Sequence, residues 1–302
     1  MTDIVYPTSP KGENISLKRI RWWLERLVIA TWLLLGVGAA TRVMNAGLAC
    51  PDWPLCYGKL LPTVMNLQIF LEWFHRLDAA LVGVSTIGLV IASWWHRPIL
   101  PPWLPWAVIF ALFLVVFQVI LGGLTVIELL RFDIVQAHLA VAFLFFGTLV
   151  GISCMLAEYR GNGTVGRLPL ISVIATVLVY IQCLLGGLVA SRWALHQCFY
   201  GRQLCGVMNS HIVGIFPATI ATVILVVWAS KTPALTPKLR HLSLYIVLTL
   251  VLQILLGLAT FHFRLQVQPL TVAHHVTGAA LFGLLIAFTV FSYRDKFSVI
   301  IN

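Results

Sequence analysis

Eight apolar runs, each long enough to cross a bilayer, set the limits on what this 302-residue chain can become. A hydrocarbon core of about 30 Å takes about 20 helical residues to span. Runs of that kind fall at roughly 21–41, 71–95, 103–126, 135–157, 168–191, 208–230, 240–261 and 270–292. In lipid every backbone polar group has to be satisfied within the segment, so spanning runs of this length are α-helices. Composition agrees, with 60% of residues hydrophobic and 10% charged, against roughly 45–50% and 25% in a soluble domain. The net charge of +10 could suit a nucleic-acid binder, but the cations sit in short loops between apolar runs, where they signal topology. No nucleic-acid partner is expected; the partner is the lipid membrane. No cleavable leader is expected either, because the first apolar run starts near Trp22 after a polar lead and is itself long enough to span.

Loop charges orient the chain. With the N-terminus inside, thirteen Lys and Arg fall in inside segments (Lys11, Lys18, Arg19, Arg21, Arg26, Arg97, Arg160, Arg167, Lys231, Lys238, Arg240, Arg294, Lys296) and six outside (Arg42, Lys59, Arg131, Arg192, Arg202, Arg264). That bias puts both termini in the cytoplasm.

The chain also repeats itself. "LGVGAATR" (Leu35–Arg42) matches "LGGLVASR" (Leu185–Arg192), "FQVILGGLTV" (Phe117–Val126) matches "LQILLGLATF" (Leu252–Phe261), and "QAHLAVAFLFFG" (Gln136–Gly147) matches "VAHHVTGAALFG" (Val272–Gly283). The offsets are 150, 135 and 136, leaving about 14 extra residues in the first outer loop. Four spans per half is an even number, so both halves enter the membrane in the same direction, as a parallel repeat about an axis along the membrane normal. The expected fold is all-α and integral to the membrane: two four-helix bundles at 21–157 and 168–292, a cytoplasmic lead at 1–20, a linker at 158–167 and a cytoplasmic tail at 293–302.

Repetition sharpens the meaning of the polar residues. His75 repeats as His211 and His138 as His274, both at an offset of 136. Each half therefore carries one histidine early in its second helix and one early in its fourth, all a turn or so beneath the outer surface. A single such histidine is an ordinary polar side chain under the headgroups. Two imidazoles facing across a four-helix bundle, twice over, can fill both axial positions of a haem iron. Zinc or copper is the competing ligand, but tetrahedral zinc wants four converging ligands, and neither half repeats a Cys or carboxylate beside its histidines. A porphyrin supplies the other four nitrogens itself. His275 could replace His274, although His274 holds the repeat register. His96, His241, His196 and His262 lie at or near loops and are read as ordinary polar residues.

Symmetry breaks at Glu72 and Arg76, whose counterparts are Met208 and Ile212. Glu72 shares a helix face with His75. It is either a helix-start carboxylate complementing the macrodipole or a proton donor and acceptor beside a haem on which chemistry happens. Arg76 either pairs with a haem propionate or snorkels. On this reading the N-terminal pocket reacts while the C-terminal haem is retained and passes electrons.

"CPDWPLC" puts Cys50 and Cys56, and "CFYGRQLC" puts Cys198 and Cys205, in matching outer loops, where disulfides are permitted. Two local disulfides capping the bundles are expected; a redox-active or haem-relaying thiol pair is the alternative. Cys154 and Cys183 fall within spans and read as buried residues.

"TRVMNAGLACPDWPLCYGKLLP" (Thr41–Pro62) followed by "EWFHR", with "QAHL", "MNSHIVG" and "VAHHVTG", resembles the cysteine-bearing branch of the haem A synthase family over essentially the whole chain. The resemblance implies a membrane haem-dependent oxidoreductase that oxidises the C8 methyl of haem O to the formyl of haem A. It implies haem b on His211 and His274, substrate haem O on His75 and His138, an essential Glu72, and disulfides in both outer loops. The enzyme that makes haem O is a candidate partner, and the electron donor is unknown. Two other functions compete: a di-haem electron-transfer cytochrome b, expected to place ligands near both faces, and a haem-handling or export protein without chemistry.

Overall fold

The computed structural model describes residues 15–190 and 206–298. Among them every named element is an α-helix: α1 (Ile15–Val43), α2 (Leu67–Trp95), α3 (Leu104–Ile127), α4 (Phe132–Leu156), α5 (Leu168–Val189), α6 (Gly206–Lys231), α7 (Pro237–His262) and α8 (Gln268–Ser298). All eight are long and apolar enough to cross a membrane. Each matches one expected span, and α1 and α8 run on by about six residues at their polar ends. A helix has no reason to stop where the oil stops; the apolar run marks the minimum.

Local chemistry sets several ends. The Asn66 side chain caps α2 by accepting the Ile69 N–H at 2.8 Å, a preferred N-cap arrangement. Prolines open α3, α5 and α7, where a missing N–H breaks no helical bond. The C-terminal ends of α3 and α7 close alike. Leu129 and Leu130 take φ of 50° and 62°, and Arg264 and Leu265 take 52° and 61°. The turn is sealed in each case by a bond from Leu130 N–H to Thr125 O (2.8 Å) and from Leu265 N–H to Thr260 O (3.0 Å). Left-handed non-glycine residues are uncommon, and here they fall in pairs 135 positions apart.

In the first half α1 packs on α2 and α4, and α3 on α2 and α4; in the second α5 packs on α6 and α8, and α7 on α6 and α8. The seam between the halves is made by α1, α4, α5 and α8. A Cβ on Gly147 of α4 would lie 3.3 Å from the Phe282 ring, and one on Gly283 of α8 would lie 3.1 Å from the Phe146 ring. Each ring thus fits the notch of the other helix. Side-chain donors reach backbone carbonyls across the same seam: Trp32 to Val276 O (3.1 Å), Gln136 to Leu184 O (2.8 Å), Tyr180 to Ala140 O (3.2 Å) and Arg42 to Gly187 O (2.7 Å). On the polar side the 158–167 connection is tied down by the buried Asp295 carboxylate, which accepts from the Tyr159 hydroxyl (2.8 Å) and the Asn162 N–H (3.1 Å). Large apolar side chains such as Leu81 and Val84 point outward, as a lipid-facing surface requires.

Candidate functional site

Each of the four histidines is seated against a glycine of a neighbouring helix. His75 on α2 lies against Gly38 of α1, His138 on α4 against Gly122 of α3, His211 on α6 against Gly186 of α5, and His274 on α8 against Gly257 of α7. A Cβ at these glycines would fall 3.0, 3.2, 3.0 and 2.9 Å from the imidazole Cε1. A side chain there would push the ring aside by some tenths of an ångström, so the missing Cβ is what lets an imidazole lie this close to the neighbouring helix.

Glutamines complete three of the seats. Gln118 donates from Nε2 to the His138 carbonyl at 2.8 Å. Gln182 contacts the His211 carbonyl (2.9 Å) and its ring Nδ1 (3.1 Å). Gln253 Nε2 lies 3.4 Å from His274 Nε2, beyond the usual hydrogen-bond range. The rings of His211 and His274 are 6.5 Å apart between centroids and nearly perpendicular, at 88°. Two imidazoles bonded to one iron at roughly 2 Å each place their ring centres about 6–6.5 Å apart. The pair therefore fits bis-imidazole ligation of a haem. The Nδ1 atoms of His75, His138 and His274 are buried with no hydrogen-bond partner among the described residues, which is costly for a polar atom. Among those residues no three His, Cys, Asp or Glu side chains converge as a metal site.

All four histidines line one cavity of about 1320 Å³ that runs across both halves. That exceeds the roughly 300–1,000 Å³ of a pocket for one small molecule. Glu72, Arg76, Arg42 and His275 line it too.

The first half adds a charged roof. Cys50 and Cys56 are joined as a disulfide with Cα atoms 4.8 Å apart. The buried Glu72 carboxylate accepts from Cys50 N–H at 2.8 Å and from Arg76 Nη2 at 2.5 Å. Arg76 also donates to three loop carbonyls: Asp52 (2.6 Å), Leu55 (2.5 Å) and Cys50 (3.2 Å). Its guanidinium is thereby committed to the loop, with Glu72 as counter-ion. The Asp52 carboxylate accepts the Gly58 and Tyr57 N–H groups at 2.7 and 2.6 Å; these bonds and the Arg76 charge hold its carboxyl below the usual range. Trp53 of the loop rests on Gly123, where a Cβ would come within 3.2 Å of the indole, next to the glycine that seats His138. Cys198 and Cys205 lie outside the described residues. Cys154 is buried and Cys183 partly buried, both as free thiols.

The glycine seats and the glutamines were not singled out in the sequence, although Gln118 and Gln253 occupy one position of the repeated strings. A polar amide recurring in two apolar runs was the available signal. Gly38 carried none, since the repeat aligns Gly36, not Gly38, with Gly186.

Residues 21–217 match the family described as cytochrome oxidase assembly protein. The haem A synthase of Shewanella oneidensis is 28% identical over 330 aligned residues, covering 91% of this chain and 96% of that protein. The haem A synthase of Shouchella clausii is 25% identical, covering 90% and 98%. A protoheme IX farnesyltransferase of Halobacterium salinarum is 30% identical over 127 residues, 42% of this chain and 27% of that protein.

Proposed function

We propose that this chain, which belongs to the cytochrome oxidase assembly protein family, is an integral membrane haem A synthase that oxidises the C8 methyl of haem O to the formyl of haem A. The observation that carries the proposal is two glycine-seated histidine pairs lining one cavity, with a carboxylate, among the described residues, beside only one of them. Full-length similarity to two proteins named haem A synthase supports the same activity.

In this reading His211 and His274 hold a resident haem b, which when bound supplies one-electron redox chemistry. Their ring spacing supports the assignment. His75 and His138 receive substrate haem O. Glu72 holds or releases a proton at that pocket, and the disulfide-stapled loop shields it from water, which strengthens electrostatic interactions inside. Arg76 fixes both loop and carboxylate, so a propionate contact has to share a guanidinium already holding four acceptors.

The architecture proposed is two parallel-repeat bundles with cytoplasmic termini and the haem sites near the outer face. The reciprocal Phe–Gly contacts and the matched left-handed turns support a repeat about an axis along the membrane normal. A matching disulfide between Cys198 and Cys205, which lie outside the described residues, is part of the proposal. The partners are haem O, an electron donor of unknown identity and lipid, with the enzyme that produces haem O as a candidate. A di-haem carrier spanning the bilayer needs ligands near both faces, whereas these histidines all sit within the first three turns of the even-numbered helices. The test is extraction of pigments, read by mass, after co-expression with a haem O source. Haem A in the extract supports the proposal; unchanged haem O overturns it.

A further inference from the structure

We propose that Arg42, a residue of the first half, is the carboxylate anchor for the porphyrin held between His211 and His274 in the second. This rests on the functional reading above. Arg42 lies in the last turn of α1 and lines the shared cavity. Its Nη2 donates to the Gly187 carbonyl of α5 at 2.7 Å, and the preceding residue, Gly186, seats His211. The guanidinium is thus tethered beside the C-terminal histidine pair. One turn earlier on the same helix, Gly38 seats His75.

Among the described residues the guanidinium has no counter-ion. Charged side chains at membrane depth pair with one another or line functional cavities, and an uncompensated buried charge is strongly unfavourable. Glu72 is engaged with Arg76, Glu128 and Asp133 with Arg131, and Asp52 with backbone N–H groups, while Asp78 on α2 makes no ion pair with Arg42. Among the described residues none forms an ion pair with Arg42. A carbonyl takes up one of five donors on a planar fork suited to bidentate carboxylate recognition. The missing partner is therefore an anion that enters the cavity, and a porphyrin bound to these histidines brings carboxylates with it. A lipid phosphate is the other source of an anion, but α1 packs on α8 through Trp32 and Gly36, which turns this face toward the seam and away from the bilayer.

The consequence is that the second pocket is incomplete without the first half. The test uses the full-length protein in detergent, comparing wild type, Arg42→Gln and Arg42→Lys for haem transfer to excess apomyoglobin, reduction midpoint, and binding of haem against haem dimethyl ester. Arg42→Gln is expected to release haem about tenfold faster, to lower the midpoint because a nearby cation is gone, and to lose the wild-type preference for free carboxylates over the diester. Arg42→Lys, which keeps charge without the fork, falls between. Unchanged release, midpoint and ester preference in Arg42→Gln would overturn the anchor. So would loss of co-purified anionic phospholipid with haem retention intact. A wild-type protein that binds no haem would instead overturn the reading of the pocket itself.

Discussion

The two histidine pairs sit on corresponding helices, yet their surroundings differ in kind. Around His211 and His274 the support from their own half is neutral: an amide on the His211 ring, glycine notches, and Met208 and Ile212 where the other half has Glu72 and Arg76, with the Arg42 cation reaching in from the first half. Around His75 a buried ion pair reaches out of the helix to grip a disulfide-closed loop. A pocket that only has to hold a group is served by packing, neutral hydrogen bonds and a fixed cation that never titrates. One that has to move protons needs an ionisable group, and a buried ionisable group needs its own counter-ion and hydrogen bonds. The added loop residues and the added charges occur together for that reason.

The sharpest way to break the comparison is to remove ligands one half at a time. His211→Ala should strip the resident haem, with at least a tenfold fall in bound pigment by pyridine haemochrome, whereas His75→Ala should retain it and stop haem A formation. Equal pigment loss from both variants would erase the distinction. Next in size, Glu72→Ala should lower haem A formation by about a hundredfold or more, within the range for general acid–base catalysis, with haem content near normal. Haem A at the wild-type rate would remove Glu72 from the chemistry. A subtler probe is the seats: Gly257→Ala puts a Cβ 2.9 Å from His274 and Gly122→Ala one 3.2 Å from His138. Overpacking of this kind costs about 1–3 kcal/mol, so each should weaken haem binding at its own pocket, the first more than the second. Replacing Cys50 and Cys56 by serine should cost about 2 kcal/mol for so short a loop, seen as a lower melting temperature and reduced turnover with the C-terminal haem spectrum unchanged. Smallest is the acid response of the roof. The Asp52 carboxyl is held below its ordinary value by the Gly58 and Tyr57 N–H groups and Arg76. Its contribution is present above the unfolded-state value of about 3.9 and is lost only as pH falls through the lower folded value. Tryptophan emission from the loop should accordingly stay flat from neutral pH to below about pH 4.

Helix number, helix positions and the histidine pairs were legible in the chain because each rests on long or repeated signals. An apolar run of twenty residues has few other fates, and a polar residue recurring at a fixed offset is hard to produce by accident. What was not legible depends on side chains meeting across helices. Arg76 gave no sign that three loop carbonyls would converge on it, because backbone carbonyls leave no trace in a sequence. Gly38 was obscured by a two-residue slip between the aligned strings and the histidine seats. Arg42 was counted as one more outer cation; Arg131 lines the same cavity but is paired with Glu128 and Asp133, whereas Arg42 is tied only to the Gly187 carbonyl among the described residues.

The knob-and-notch exchange between Phe146 and Gly283 and between Phe282 and Gly147 gives each half both a plug and a socket. A half on its own would bare the two together, and they are complementary to a second copy of the same half as well as to the other one. An ancestor of half this length could therefore have worked as a pair of identical chains. Fusion would have freed each side to drift: one gaining charge, the other keeping only its grip.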